Sequence, residues 1–116
     1  MSRREHLEAA IAAHSAWKAR FKKFMAGELV LDAQVVEKPD GCDFGKYLKG
    51  DGRADLGGAF GDIDAAHAHF HRVAAEVVRC QHGGKKAEAE KALETSGVFT
   101  QAGAKLTMLV VKARDA

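Results

Sequence analysis

His67 and His71 stand four positions apart in the run His67-Ala68-His69-Phe70-His71. On a helix this spacing puts both imidazoles on one face, one turn apart, and rotates His69 by about 200° away from His67. Two imidazoles so placed can share one metal ion. A third histidine, His14, and a cysteine, Cys42, bring the candidate donors to three nitrogens and one sulfur. Such a set suits Zn2+ in a tetrahedral shell, suits iron or cobalt less well, and does not suit magnesium or calcium. Each residue alone has a blander use, because a histidine in an apolar stripe is commonly a hydrogen-bonded core residue and a single cysteine a small buried hydrophobe. The joint reading rests on three of the four lying on or beside seams that must face each other.

Those seams follow from hydrophobic periodicity. Leu7, Ile11, His14, Trp17, Phe21 and Phe24 recur at intervals of three and four, which predicts one helix from about Arg4 to Met25 with Gly27 as its stop. His14 lies in that apolar stripe, one turn from Trp17. Glu28 to Asp40 reads as a connector packed over the bundle, broken by Pro39. Asp40-Gly41-Cys42-Asp43 reads as the start of a short helix, with Asp40 as candidate N-cap and Phe44, Tyr47 and Leu48 facing the core while Lys46 and Lys49 face water. Cys42 then sits at a helix N-terminus, where backbone N–H groups and the dipole favour the thiolate that binds metal.

The glycines at 52, 57, 58 and 61 predict a loop or a loosely started helix from Asp51 to Gly61. Leu56, Phe60, Ile63, His67, Phe70, Ala74, Val77 and Gln81 form a heptad-like seam that Gly83-Gly84 stops. Lys85 to about Ala113 is a further helical pattern, in which Ser96, Gly97 and Gly103 permit close approach or a local break. Two long helices joined by a tight turn make an antiparallel hairpin. The fold expected is therefore all-α, an antiparallel four-helix bundle with a short additional helix carrying Cys42. His6 and His82, near helix ends, read as solvated, and Cys80 as packing.

Composition narrows the function classes. The 116 residues make a single domain, 1–116, large enough for its own core. Its 18 basic and 16 acidic residues are spread along the chain, without the clustered basic footprint of a nucleic-acid surface. Neither a signal peptide nor an apolar run of membrane-spanning length is evident, so a cytoplasmic location without membrane partners is expected. Two cysteines in such a protein are free thiols or metal ligands in preference to a disulfide.

Taken together, His14-x-x-Trp17, Cys42-Asp43-Phe44-Gly45-Lys46-Tyr47-Leu48 and His67-x-x-x-His71 followed by an alanine- and valine-rich helix resemble the chemoreceptor zinc-binding domain family. The resemblance runs from about His14 to the last helix. It implies a four-helix bundle with a short extra helix and one zinc held by His14, Cys42, His67 and His71. It also implies a regulatory sensor of zinc or hypochlorous acid, homodimeric, working with a bacterial chemoreceptor or diguanylate cyclase. Tyr47 stands where the family usually has tryptophan, a substitution that keeps the aromatic packing. No signalling coiled coil or cyclase follows residue 116, and the Met1-Ser2 start favours a stand-alone member over one domain of a longer chain.

Other classes remain to be weighed. A zinc hydrolase would leave one coordination position open, whereas four candidates close the shell, and His67-Ala68-His69 lacks the glutamate of His-Glu-x-x-His. No catalytic residue is assigned. A di-iron bundle needs Glu-x-x-His pairs on two helices, which the chain does not have. A purely structural zinc bundle that mediates protein interaction is the alternative to a sensor.

Overall fold

The computed structural model covers all 116 residues, Met1–Ala116. Helix α1 (Arg3–Ser15) begins at a capping box: the Ser2 hydroxyl accepts from the Glu5 N–H, and the Glu5 carboxylate accepts from the Ser2 N–H. Helix α2 (Trp17–Met25) follows after Ala16 alone. Because Ala16 keeps helical angles (φ −66°, ψ −17°) and its N–H donates to the Ala12 carbonyl, the single expected helix survives as two segments of one arm.

The connector holds a short helix, α3 (Ala33–Glu37), capped by the Asp32 carboxylate. It stops there because Pro39 forces the preceding Lys38 into an extended conformation (φ −79°, ψ 107°). A 3₁₀ turn at Pro39–Gly41 leads to α4 (Asp43–Tyr47). The N-cap of α4 is Cys42, not Asp40 as the sequence suggested. Asp40 lies in the preceding turn, and its carboxylate pairs with Lys49 at 2.9 Å.

Between Asp51 and Gly61, of the loop or loosely started helix expected, the helical alternative is found. A π turn at Leu48–Gly52, helix α5 (Arg53–Leu56) and a 3₁₀ turn at Gly57–Ala59 run directly into α6 (Phe60–His82). Leu48 and Leu56 are buried by these turns, so tertiary packing overrides the local glycine content. Gly57, at φ +54°, takes a left-handed backbone conformation that favours glycine.

Gly83 and Gly84 end α6 as expected. The last expected helix is divided into α7 (Lys86–Leu93) and α8 (Val98–Arg114). The break is enforced at Gly97, where a Cβ would lie 2.3 Å from the carbonyl oxygens of Lys91 and Ala92. The expected all-α helical bundle forms: the long arms α1–α2, α6 and α7–α8 are completed by α3, packed on α6, and by the short α4 with Cys42 at its start, packed on α1. Phe21, Phe70, Ile63, Leu106 and Val78 are fully buried between the arms, each contributing about 1.5–3 kcal/mol of burial. No helix is long and apolar enough to cross a membrane.

Candidate metal centre

His14, Cys42, His67 and His71 converge from three elements, and their nearest donor atoms all lie within 4.8 Å of one another. Helix α6 supplies two of them at the spacing its period dictates, and both rings are buried, at 1% exposure for His67 and 3% for His71. His14 enters from α1 with its ring 5.0 Å from that of His67 and 5.8 Å from that of His71, centroid to centroid. Cys42 arrives from the N-terminus of α4, half-buried. All four residues singled out in the sequence are therefore together, while His69 is exposed beside Arg72.

Two of the rings are oriented by backbone carbonyls. His14 donates from Nδ1 to the Ala10 carbonyl at 2.7 Å, and His71 from Nδ1 to the Val36 carbonyl at 2.8 Å. The Val36 acceptor exists because α3 stops: Pro39 ends the helix and leaves its last carbonyls without an intrahelical donor. With the proton fixed on Nδ1, Nε2 of both rings presents a bare lone pair to the centre. His67 is held by packing, edge-on to Phe44 at 5.2 Å and to His14 at 5.0 Å.

Within the centre, His67 Nε2 lies 3.1 Å from His71 Nε2, and Cys42 Sγ lies 3.2 Å and 3.6 Å from these two nitrogens. Tetrahedral Zn2+ with bonds of about 2.0 Å to nitrogen and 2.3 Å to sulfur requires N···N edges of about 3.3 Å and N···S edges of about 3.5 Å. The measured separations fall within a few tenths of an ångström of those edges. Lone pairs converging this closely in a buried site are satisfied by a shared proton or by a cation between them. The donor set, its spacing and its burial fit Zn2+.

Protonation favours the same conclusion. Burial lowers the pKa of all three histidines, that of His67 to about 3, with neighbouring imidazoles adding to the effect at His67 and His14. They are neutral at pH 7, the form that binds metal. At Cys42 burial pushes the thiol pKa up, against the opposing pull of the Gly45 and Phe44 N–H groups. The helix terminus therefore does not by itself produce the thiolate that the sequence suggested, although it does aim donors at sulfur: the Gly45 N–H lies 3.4 Å from Sγ. A ligating divalent cation deprotonates such a thiol outright.

Solvent reaches this centre through a groove of about 610 Å³ between α1 and α4, lined by Ala13, Trp17, Arg20, Cys42, Phe44 and His71 among others. Trp17 is core as expected, with the Arg20 guanidinium 4.0 Å above its ring. Two features escaped the sequence. The orienting carbonyls of Ala10 and Val36 belong to no residue type, although Pro39 three positions after Val36 was a signal. His6, expected to be solvated, stacks on Tyr47 with centroids 4.1 Å apart.

A family model described as the chemoreceptor zinc-binding domain matches residues 14–78, more than half of the chain and all four candidate ligands. No curated protein and no solved structure matches.

Proposed function

The chain belongs to the chemoreceptor zinc-binding domain family and takes Zn2+, and from that premise we propose that it is a regulatory switch whose four zinc ligands are His14, Cys42, His67 and His71. The observation that supports this reading most directly is the close approach of the Cys42, His67 and His71 donor atoms, 3.1 to 3.6 Å apart, with the His14 donor within 4.8 Å of them. Bound Zn2+ would hold Cys42 as thiolate and tie α1, α4 and α6 at one point. Four protein ligands leave no open position for substrate, in keeping with a sensor family and not a hydrolase.

The switch is proposed to act at Cys42, because it is the one ligand on a short element and it borders the groove. Hypochlorous acid entering there would oxidise the thiolate to sulfenic acid, its OH group passing to sulfur and chloride leaving, so that sulfur loses the two electrons chlorine gains. A sulfenic acid is a poorer ligand, and α4 would then lose its tie to the metal centre and rely on the packing of Phe44, Tyr47 and the adjoining Leu48 and on the Tyr47–Asp55 hydrogen bond. Zinc loading and unloading would drive the same motion without an oxidant. The readout would pass, in the cytoplasm, to a second copy of the chain and to a chemoreceptor or diguanylate cyclase. A structural staple mediating protein interaction is the second reading, supported by the way the centre joins three elements.

The test is metal content by elemental mass spectrometry on protein purified without a metal-affinity column. One zinc per chain is expected, weakened or lost in Cys42→Ala. Iron, or no metal in either sample, would overturn the assignment. Oxidant titration separates switch from staple: Cys80→Ala should release zinc with hypochlorous acid as wild type does, and a staple would keep its zinc in both.

A further inference from the structure

Helix α4 has a second fastening, at the end opposite Cys42. Tyr47 is buried, its hydroxyl donates to Asp55 Oδ2 at 2.8 Å, and its ring lies nearly parallel to the His6 imidazole, with an interplanar angle of 17°. His6 lies in the second turn of α1. One turn earlier on the same face, the Arg3 guanidinium donates to the carbonyl of Ala113 in the last turn of α8. A chain of contacts therefore runs from the segment bearing Cys42 to the place where the first turn of α1 and the last turn of α8 are joined.

That segment is built to move as one piece. The Lys49–Asp40 pair closes it end to end, and Gly45 is pressed so tightly on the Pro39 backbone that a Cβ there would lie 1.8 Å from the carbonyl oxygen. Beyond it the backbone leaves helical geometry at Gly50 (φ −93°, ψ −112°), where a rotation can be taken up. A displacement at Cys42 is then felt at Tyr47, five residues on.

We propose that Tyr47 is the positioning residue that couples the metal centre to the α1–α8 end joint, passing a shift of α4 through the His6 stack to Arg3 and Ala113. This rests on the zinc reading of the centre. His14 offers a rival route, since it would connect metal to α1 without passing through α4 at all. Removing the His6 ring separates the two routes, because it breaks the stack and leaves all four candidate ligands in place.

Backbone amide hydrogen exchange, followed by mass spectrometry on the whole chain with zinc bound and after chelation, reads the coupling directly. In wild type, chelation should speed exchange roughly tenfold or more both across residues 42–49 and at the joint, residues 6–10 and 110–114. In His6→Ala, residues 42–49 should respond as before, while the joint exchanges at the same rate in both states to within about twofold. Tyr47→Phe keeps the stack and should keep the joint's response. A joint that responds to chelation in His6→Ala as in wild type would overturn the relay in favour of His14, and a joint that never responds in wild type would overturn coupling altogether. Zinc stoichiometry measured on the same samples keeps the two readings apart: no zinc in wild type defeats the metal assignment, whereas one zinc with an unresponsive joint defeats only the relay.

Discussion

Helices α6 and α4 both bring ligands to the centre, and they do so by opposite means. The 23 residues of α6 set the spacing of His67 and His71 by helical period, with Ile63, Phe70, Ala74 and Val78 buried around them, and neighbours only turn the two rings. The five residues of α4 are too few to be helical on their own. Its position is borrowed from neighbours: the Pro39 turn, the Asp40–Lys49 pair, and the packing of Phe44 and Tyr47. A site with two ligands on a rigid rod and one on a dependent segment can lose that one without losing its frame. This difference in support makes Cys42 the natural moving part.

Chelation should expose the contrast most strongly. If zinc is held at a thousandfold excess over its dissociation constant, its removal costs about 4 kcal/mol, which lowers Tm by roughly 15 °C for a domain of this size. Thermal melts before and after chelation measure the loss. Exchange protection should collapse first in α4 and persist in the middle of α6, and equal loss in both would erase the distinction.

Gly45→Ala attacks α4 directly. Its methyl group would collide with the Pro39 carbonyl oxygen, which is backbone and cannot turn aside, at a cost of about 3 kcal/mol. Weaker zinc binding is expected, with the helical signal of α6 retained. Zinc titration with circular dichroism checks both, and wild-type affinity in this variant would show that the close approach does not place Cys42.

How much of this was legible in the sequence follows the same division. The α6 seam was readable because a long helix repeats its instruction every turn, and both histidines fell on it. His14 was readable for the same reason on α1. The cap of α4 was not, since cysteine is an uncommon N-cap and the start of the helix is set by the Pro39 turn before it. Nor did residue type announce the Ala10 and Val36 carbonyls or the His6–Tyr47 stack, which depend on what the fold brings near. The glycines of 51–61 left loop and loosely started helix open, and buried Leu48 and Leu56 decide for helix there.

Acid tests the α6 side. The folded-state pKa of each centre histidine lies below its unfolded value, about 6.5, and that of His67 is about 3. The unfolded chain therefore binds more protons below pH 6.5, so the stability of the metal-free protein should be intact above that pH and fall as pH drops towards the folded values. The slope is at most about 1.4 kcal/mol per pH unit for each histidine. Urea midpoints of chelated protein from pH 7 to 5 measure it.

The smallest effect sharpens the comparison from outside the centre. Arg79 on α6 bonds Glu37 at 3.0 Å and Glu76 at 2.8 Å, and so pins the end of α3 one residue after the carbonyl that orients His71. All three side chains are substantially exposed, so solvent screens the pair and Arg79→Ala should cost little stability. Its effect on metal should be similarly modest, below about tenfold, because α3 is also held by buried Val36. Salt decides the cause: in wild type, raising ionic strength should weaken zinc binding towards the Arg79→Ala value, and the variant should be insensitive. If Arg79→Ala instead abolished binding, α6 would not be the self-sufficient rod described above, and its second histidine would depend on borrowed support as Cys42 does.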